Sequence, residues 1–204
     1  MSRFLWTGIV GPFVYLATVL AGGAVTPGYS HVVHAVSELT QRGAPHALPL
    51  GAGFAVSAIL CGMFGLAVAA SGRSVRLPGW LIAGYGVIAF LLATIFPMDP
   101  IGSEVTFAGV AHIVLVALSG LMLVGAIIVA ALRLRGELPW FLPVSIAAAI
   151  LMLAGGASSA VMIANEIAMT GLAERVTLSS YLLWFAVLAT VLMRLPAPRV
   201  AVPS

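Results

Sequence analysis

His31, His34 and His46 stand within sixteen residues of one another, with Ser37, Glu38 and Arg42 between them. Most of the remaining chain is apolar, so this is where side-chain chemistry is concentrated. Histidine and carboxylate are zinc ligands, and histidines three or four residues apart on a helix can chelate one ion. His31, His34 and Glu38, joined by the distant His112, form such a candidate set, although no His-Glu-x-x-His signature accompanies them. A second chemistry needs a nucleophile, an acid and a base. Ser37, Asp99 and His112 supply those residue types for a hydrolase or transferase acting on lipid. The third reading involves no catalysis: the loop histidines and Arg42 sit at a membrane interface, and Asp99 and His112 form a structural pair. Zinc is the metal these groups would take. Haem does not fit, because bis-histidine membrane cytochromes need histidines deep in facing helices and only His112 lies within an apolar run.

The elements that position these groups follow from composition. Of the 204 residues, 62% are hydrophobic and 7% charged, with a mean hydropathy of +1.17. A soluble domain carries roughly a quarter of its residues charged, so this chain is an integral membrane protein. Its basic balance reflects membrane topology, and no nucleic-acid partner is implied. The single cysteine, Cys61, lies in an apolar run and reads as a core residue. A membrane-crossing helix needs about 20 apolar residues. Six segments qualify, near 5–25, 49–70, 78–96, 107–132, 140–163 and 177–194. The fold class is therefore all-α, a single six-span membrane domain over 1–194 followed by a short Pro-rich tail at 195–204 that is expected to be disordered. The first segment ends in Ala21-Gly22-Gly23-Ala24, which is also the look of a signal-peptide cleavage site. Its apolar run is longer than a signal core, so it reads as a retained span.

Arginine bias sets orientation. Arg3, Arg73, Arg76, Arg133, Arg135, Arg194 and Arg199 fall on one side of a six-span chain. Arg42 and Arg175 fall on the other, with Glu38, Asp99, Glu104, Glu166 and Glu174. Both termini are thus expected in the cytoplasm and the acidic side outside, as in a multi-pass protein of the cell's cytoplasmic membrane. All four histidines then lie at the outer face. A transporter would need a polar path across the bilayer, and the cytoplasmic half of the spans offers no ionisable residue.

The first outer loop is long. Val32, Val36 and Leu39 recur at helical spacing, which predicts a short interfacial amphipathic helix over 30–41 with His31, His34 and Glu38 on its polar face. Burial of the apolar stripe predicts that this loop folds back over the bundle. Glu166, and Glu174-Arg175 just before the sixth span, complete the outer polar set. Small residues at i, i+4, such as Ala58/Gly62, Gly79/Ala83 and Gly155/Ser159, predict close helix packing, with the fifth span as the central helix.

Ser37-Glu38-Leu39 with Gly43-Ala44-Pro45, Phe96-Pro97-x-Asp99, His112, and Gly171-Leu172-x-Glu174-Arg175 with Trp184 together resemble the domain-of-unknown-function 998 family of small six-span membrane proteins. The resemblance covers nearly the whole chain. It implies that Ser37, Asp99, His112, Glu174 and Arg175 matter, without assigning them a role. A looser similarity in residue types is to multi-span ceramidase-like zinc hydrolases, but this chain has no histidine after His112. The function these observations favour is a membrane subunit that binds lipid or another membrane protein and has a polar pocket at its outer face. The alternative is the membrane-embedded lipid hydrolase or transferase, with zinc as its metal.

Overall fold

The computed structural model describes residues 4–196. Among these residues, six helices are long and apolar enough to cross a membrane: α1 Thr7–Val25, α2 Ala47–Ala69, α3 Arg76–Thr94, α4 Phe107–Leu134, α5 Phe141–Ala164 and α6 Thr170–Arg194. Five of them match the apolar runs closely. The sixth begins seven residues earlier than hydropathy alone places it, so Glu174 and Arg175 lie inside α6 and not ahead of it. Most of the tail, from residue 197 on, lies outside the described residues.

Each helix packs on the next in the chain, and α1 packs on α6 to close the circuit. In lipid the hydrophobic effect does not drive helices together, so contact depends on close backbone approach. The α2–α3 seam is built that way. A Cβ on Gly86 would meet the Gly62 backbone and the Ala58 carbonyl, and one on Gly65 would strike Gly79 and Ala83. The main core joins Phe64, Ile82, Leu123, Ile127, Phe141, Trp184, Phe185 and Leu188. Polar groups inside it are paired, as burial without a partner would cost about 1–3 kcal/mol each. Trp184 Nε1 donates to Ser145 Oγ at 2.9 Å, Ser57 Oγ to the Gly11 carbonyl at 2.8 Å, and the Tyr85 and Tyr181 hydroxyls bond at 3.0 Å.

The fifth helix is not the central one. Half of the α2 apolar window is buried inside the protein, against 22% for α5. The small residues of α5 do face a neighbour at Gly155, whose missing Cβ makes room for Thr177 and the Ala173 carbonyl of α6. Ala154, Gly156, Ala157 and Ala160 remain exposed. The N-terminal half of α4 is similarly bare, with Ile113, Val114, Val116 and Leu118 exposed.

Candidate functional site

The first loop organises the end of the bundle where α1 ends and α6 begins. It does not form the helix its pattern predicts: residues 31–36 run through turns and a bend, and only Ser37–Thr40 makes a single 3-10 turn. The cause is competition. The loop's backbone groups find stronger partners on α6 than a short interfacial helix would give them. Glu174 Oε2 accepts from Val36 N at 2.5 Å. In the first turn of α6 the Gly171 amide donates to the Val33 carbonyl at 3.2 Å, and the Leu172 amide to the Val32 carbonyl at 2.9 Å and the Met169 carbonyl at 3.1 Å. Gly171 is glycine because a Cβ there would collide with the His34 carbonyl oxygen.

Arg175 completes the clamp. Its Nη1 donates to the His34 carbonyl at 3.0 Å and to the Gly171 carbonyl at 2.9 Å. Its Nη2 donates to the Tyr29 hydroxyl at 2.8 Å and lies 2.9 Å from His31 Nδ1. With Arg175 permanently cationic, that ring nitrogen must be the acceptor, so His31 is neutral with its proton on Nε2. Burial, then the Arg175 charge, holds its pKa below the ordinary histidine value. Tyr29 in turn donates to the Ala35 carbonyl at 2.9 Å, and its ring stacks on His34 and meets the edge of His31. Burial raises the Tyr29 pKa, against the opposing pull of the Arg175 hydrogen bond and charge.

The loop does fold back. Val36 and Leu39 are 3% and 1% exposed, packed with Val19, Leu50 and Phe54. Burying two such side chains is worth about 1.5–3 kcal/mol each. Val32 does not join them and stays exposed. The Ala21-Gly22-Gly23-Ala24 stretch is part of the receiving surface in α1. Leu39 sits where a Gly22 side chain would be, and the His31 ring where a Gly23 side chain would be.

The second cluster joins the first loop to the segment before α4. Asp99 accepts from Thr106 N at 2.7 Å and from Thr106 Oγ1 at 2.8 Å, and pairs with Arg42 at 3.2 Å. Its carboxylate occupies the space left by the absent side chain of Gly109 in the first turn of α4. The Thr106 amide hydrogen bond is the main cause of a lowered Asp99 pKa, aided by the Thr106 hydroxyl and Arg42 and opposed by burial. Thr106 is the N-cap of α4 and accepts from Gly109 N. Arg42 N donates to the Met98 carbonyl at 2.9 Å, and Ser37 Oγ donates to Met98 Sδ at 3.2 Å.

These contacts redraw the expected constellations. His112 Nδ1 lies 2.8 Å from the Phe96 carbonyl at the end of α3, and Asp99 bonds to Thr106 and Arg42, so the expected Asp99–His112 pair is not formed. Both residues do brace the α3–α4 connection, each through a different partner. Ser37 approaches Met98, next to Asp99, but no hydrogen bond links any two of Ser37, Asp99 and His112 among the described residues. The proposed metal set is dispersed as well. His31 turns to Arg175, His34 Nδ1 accepts from Ser30 N at 2.9 Å, Glu38 accepts from Ala35 N at 2.7 Å, and His112 turns to Phe96. Among the described residues, no three His, Cys, Asp or Glu side chains are placed to hold one ion. Glu166 is exposed at a positive φ of 55°. Sequence reasoning missed Tyr29 and Thr106. A threonine just ahead of the apolar run at Phe107 is an N-cap signal that could have revealed the second. Nothing local marks Tyr29.

Among the described residues, six apolar helices with the first loop strapped across one end of their bundle define a multi-pass α-helical membrane protein. The chain belongs to the family described as protein of unknown function (DUF998), whose model matches residues 9–191. No curated protein and no solved structure matches it.

Proposed function

We propose that this protein is a non-enzymatic subunit of the cytoplasmic membrane, both termini inside, which packs a lipid or a partner span against the outer half of α4 and α5. The observation that supports this is the way the outer polar groups are used. Arg175, Glu174, Asp99 and His112 all bond to backbone groups that hold the loops onto the helices, and Ser37 has a thioether instead of a base beside it. The polar residues are thus a brace for a shaped surface. The surface left open is apolar and, on α5, rich in small residues that let another backbone approach closely. The arginine bias supports the orientation, with Arg73, Arg76, Arg133 and Arg135 on the inner side.

The test is a photo-crosslinking amino acid placed at Ala157 in the full chain in native membranes. Crosslinking to a polypeptide of defined mass identifies a partner span, and crosslinking to acyl chains identifies a lipid. A label that reacts with neither, together with a hydrolytic activity of purified protein that Ser37→Ala abolishes, overturns the proposal in favour of the enzyme.

A further inference from the structure

We infer that the arginine-rich end of the bundle holds a binding site for the headgroup of an anionic glycerophospholipid, between the start of α3 and the end of α4. This goes beyond the outer-face reading and is independent of it. A groove of about 430 Å³ lies there, lined by Ser74, Arg76, Leu77, Trp80 and Arg133.

Among the described residues, the charges in this groove are unspent. Arg73, three residues before Arg76, pairs with Glu137 and also donates to the Pro196 carbonyl. Arg76 and Arg133 make no ion pair or side-chain hydrogen bond among the described residues. Arg133 in the last turn of α4 suits the helix dipole, whereas Arg76 is the first residue of α3, where a cation opposes it. Helix stability therefore gives no reason for Arg76. An anion between the two guanidiniums does, since Arg forks match phosphate oxygens in two-point contacts. The rest of the lining suits the remainder of a lipid. Ser74 offers a hydroxyl for the headgroup, and Leu77 and Trp80, both exposed, continue down α3 where the glycerol and first acyl carbons would lie. A Trp at this depth is the usual interfacial anchor. Basic pockets between spans are where anionic headgroups bind, and each arginine contributes about fivefold to attraction by an anionic surface.

The experiment uses the full chain with Trp6→Phe and Trp140→Phe, reconstituted in vesicles. Trp80 is then the only exposed tryptophan, because Trp184 is 1% exposed. Bromine-labelled phosphatidylglycerol and bromine-labelled phosphatidylcholine serve as quenchers in separate vesicles. Phosphatidylglycerol should quench Trp80 at several-fold lower mole fraction than phosphatidylcholine, and Arg76→Gln or Arg133→Gln should each cut that preference about fivefold. Arg135→Gln, an equal charge change on the same side but outside the groove, should leave most of it. An unchanged melting temperature by circular dichroism reports that each variant is folded; a variant that fails this check is replaced by Arg76→Lys or Arg133→Lys, which keeps the charge and loses the fork, and should weaken the preference. Equal quenching by the two lipids overturns the site. So does an equal loss from Arg135→Gln, which would reduce the effect to general surface charge. Relief of quenching by millimolar inorganic phosphate would overturn the lipid and assign the groove to the free anion.

Discussion

Arg175 on α6 reaches across to the hydroxyl of Tyr29, 2.8 Å away in the first loop, and 146 positions separate the two in sequence. The same guanidinium holds the His34 carbonyl and faces the His31 ring. One side chain thus fixes three points of a loop with only one 3-10 turn of its own. Arg175→Gln is expected to destabilise the loop by on the order of 3 kcal/mol, since hydrogen bonds to charged groups are worth roughly 1.5–3 kcal/mol each. Arg175→Lys should recover part of this, because one ammonium cannot span acceptors that a planar fork reaches together. Tryptic cleavage at Arg42 in detergent-solubilised protein measures it; a rate unchanged in both variants refutes the clamp.

Gly171 gives a second, steric handle on the same contact. Alanine there puts a methyl group into the His34 carbonyl, and the loop backbone must move or the start of α6 must unwind. Overpacking of this kind costs about 1–3 kcal/mol. Gly156→Ala on α5 is the matched control, since its new Cβ would meet only Thr177 Oγ1 at 3.9 Å. Thermal unfolding in detergent should separate the two variants clearly. Equal melting temperatures would mean that the loop does not need its seat on Gly171.

What the sequence reveals divides along a physical line. The spans are legible because each one satisfies its own backbone and needs only an apolar run of sufficient length. The exception is α6, whose polar start at Glu174-Arg175 broke the apolar run; those residues are helical because the first loop caps them. The loop pattern at Val32, Val36 and Leu39 does report burial for two of the three, but not helix, because Glu174 and the α6 amides outbid local hydrogen bonding. Asp99 and His112 lie at the two ends of the α3–α4 connection, but each bonds to a partner other than the expected one. Their actual partners, the Thr106 amide and the Phe96 carbonyl, are backbone groups that no residue-type argument singles out.

The pH response follows from His31. Its folded pKa lies below the ordinary value of about 6.5, so the unfolded chain binds the proton more readily. The stability due to neutral His31 is therefore fully present above about pH 6.5 and is lost as pH falls toward the depressed folded value. Protonation would set a second cation against Arg175 and remove the Nδ1 acceptor. Amide exchange over residues 31–36 should accelerate on going from pH 7 to pH 5 after correction for intrinsic rates, and His31→Gln should abolish the excess. Asp99 acts lower: its depressed pKa confers stability above about pH 3.9 that is lost only below it. An acceleration that survives His31→Gln would assign the response to another group.

Asp99 and His112 should differ in what their loss costs the fold. Asp99→Asn gives up an ion pair with Arg42 whose guanidinium side is half exposed, and such pairs are worth about 0–1 kcal/mol. The amide oxygen can still accept from Thr106, and the space beside Gly109 stays filled. His112→Leu is different. It removes the partner of the half-buried Phe96 carbonyl, two residues past the end of α3. An unpaired polar group there costs about 1–3 kcal/mol, and leucine brings none of it back. His112→Leu should therefore lower stability by more than Asp99→Asn, and His112→Gln, which can place an amide near the same carbonyl, should fall between them. Unfolding in graded sodium dodecyl sulfate, followed by circular dichroism, gives the order directly. The reverse order would mean that the Arg42–Asp99 contact, and not the His112–Phe96 bond, holds α3 to α4.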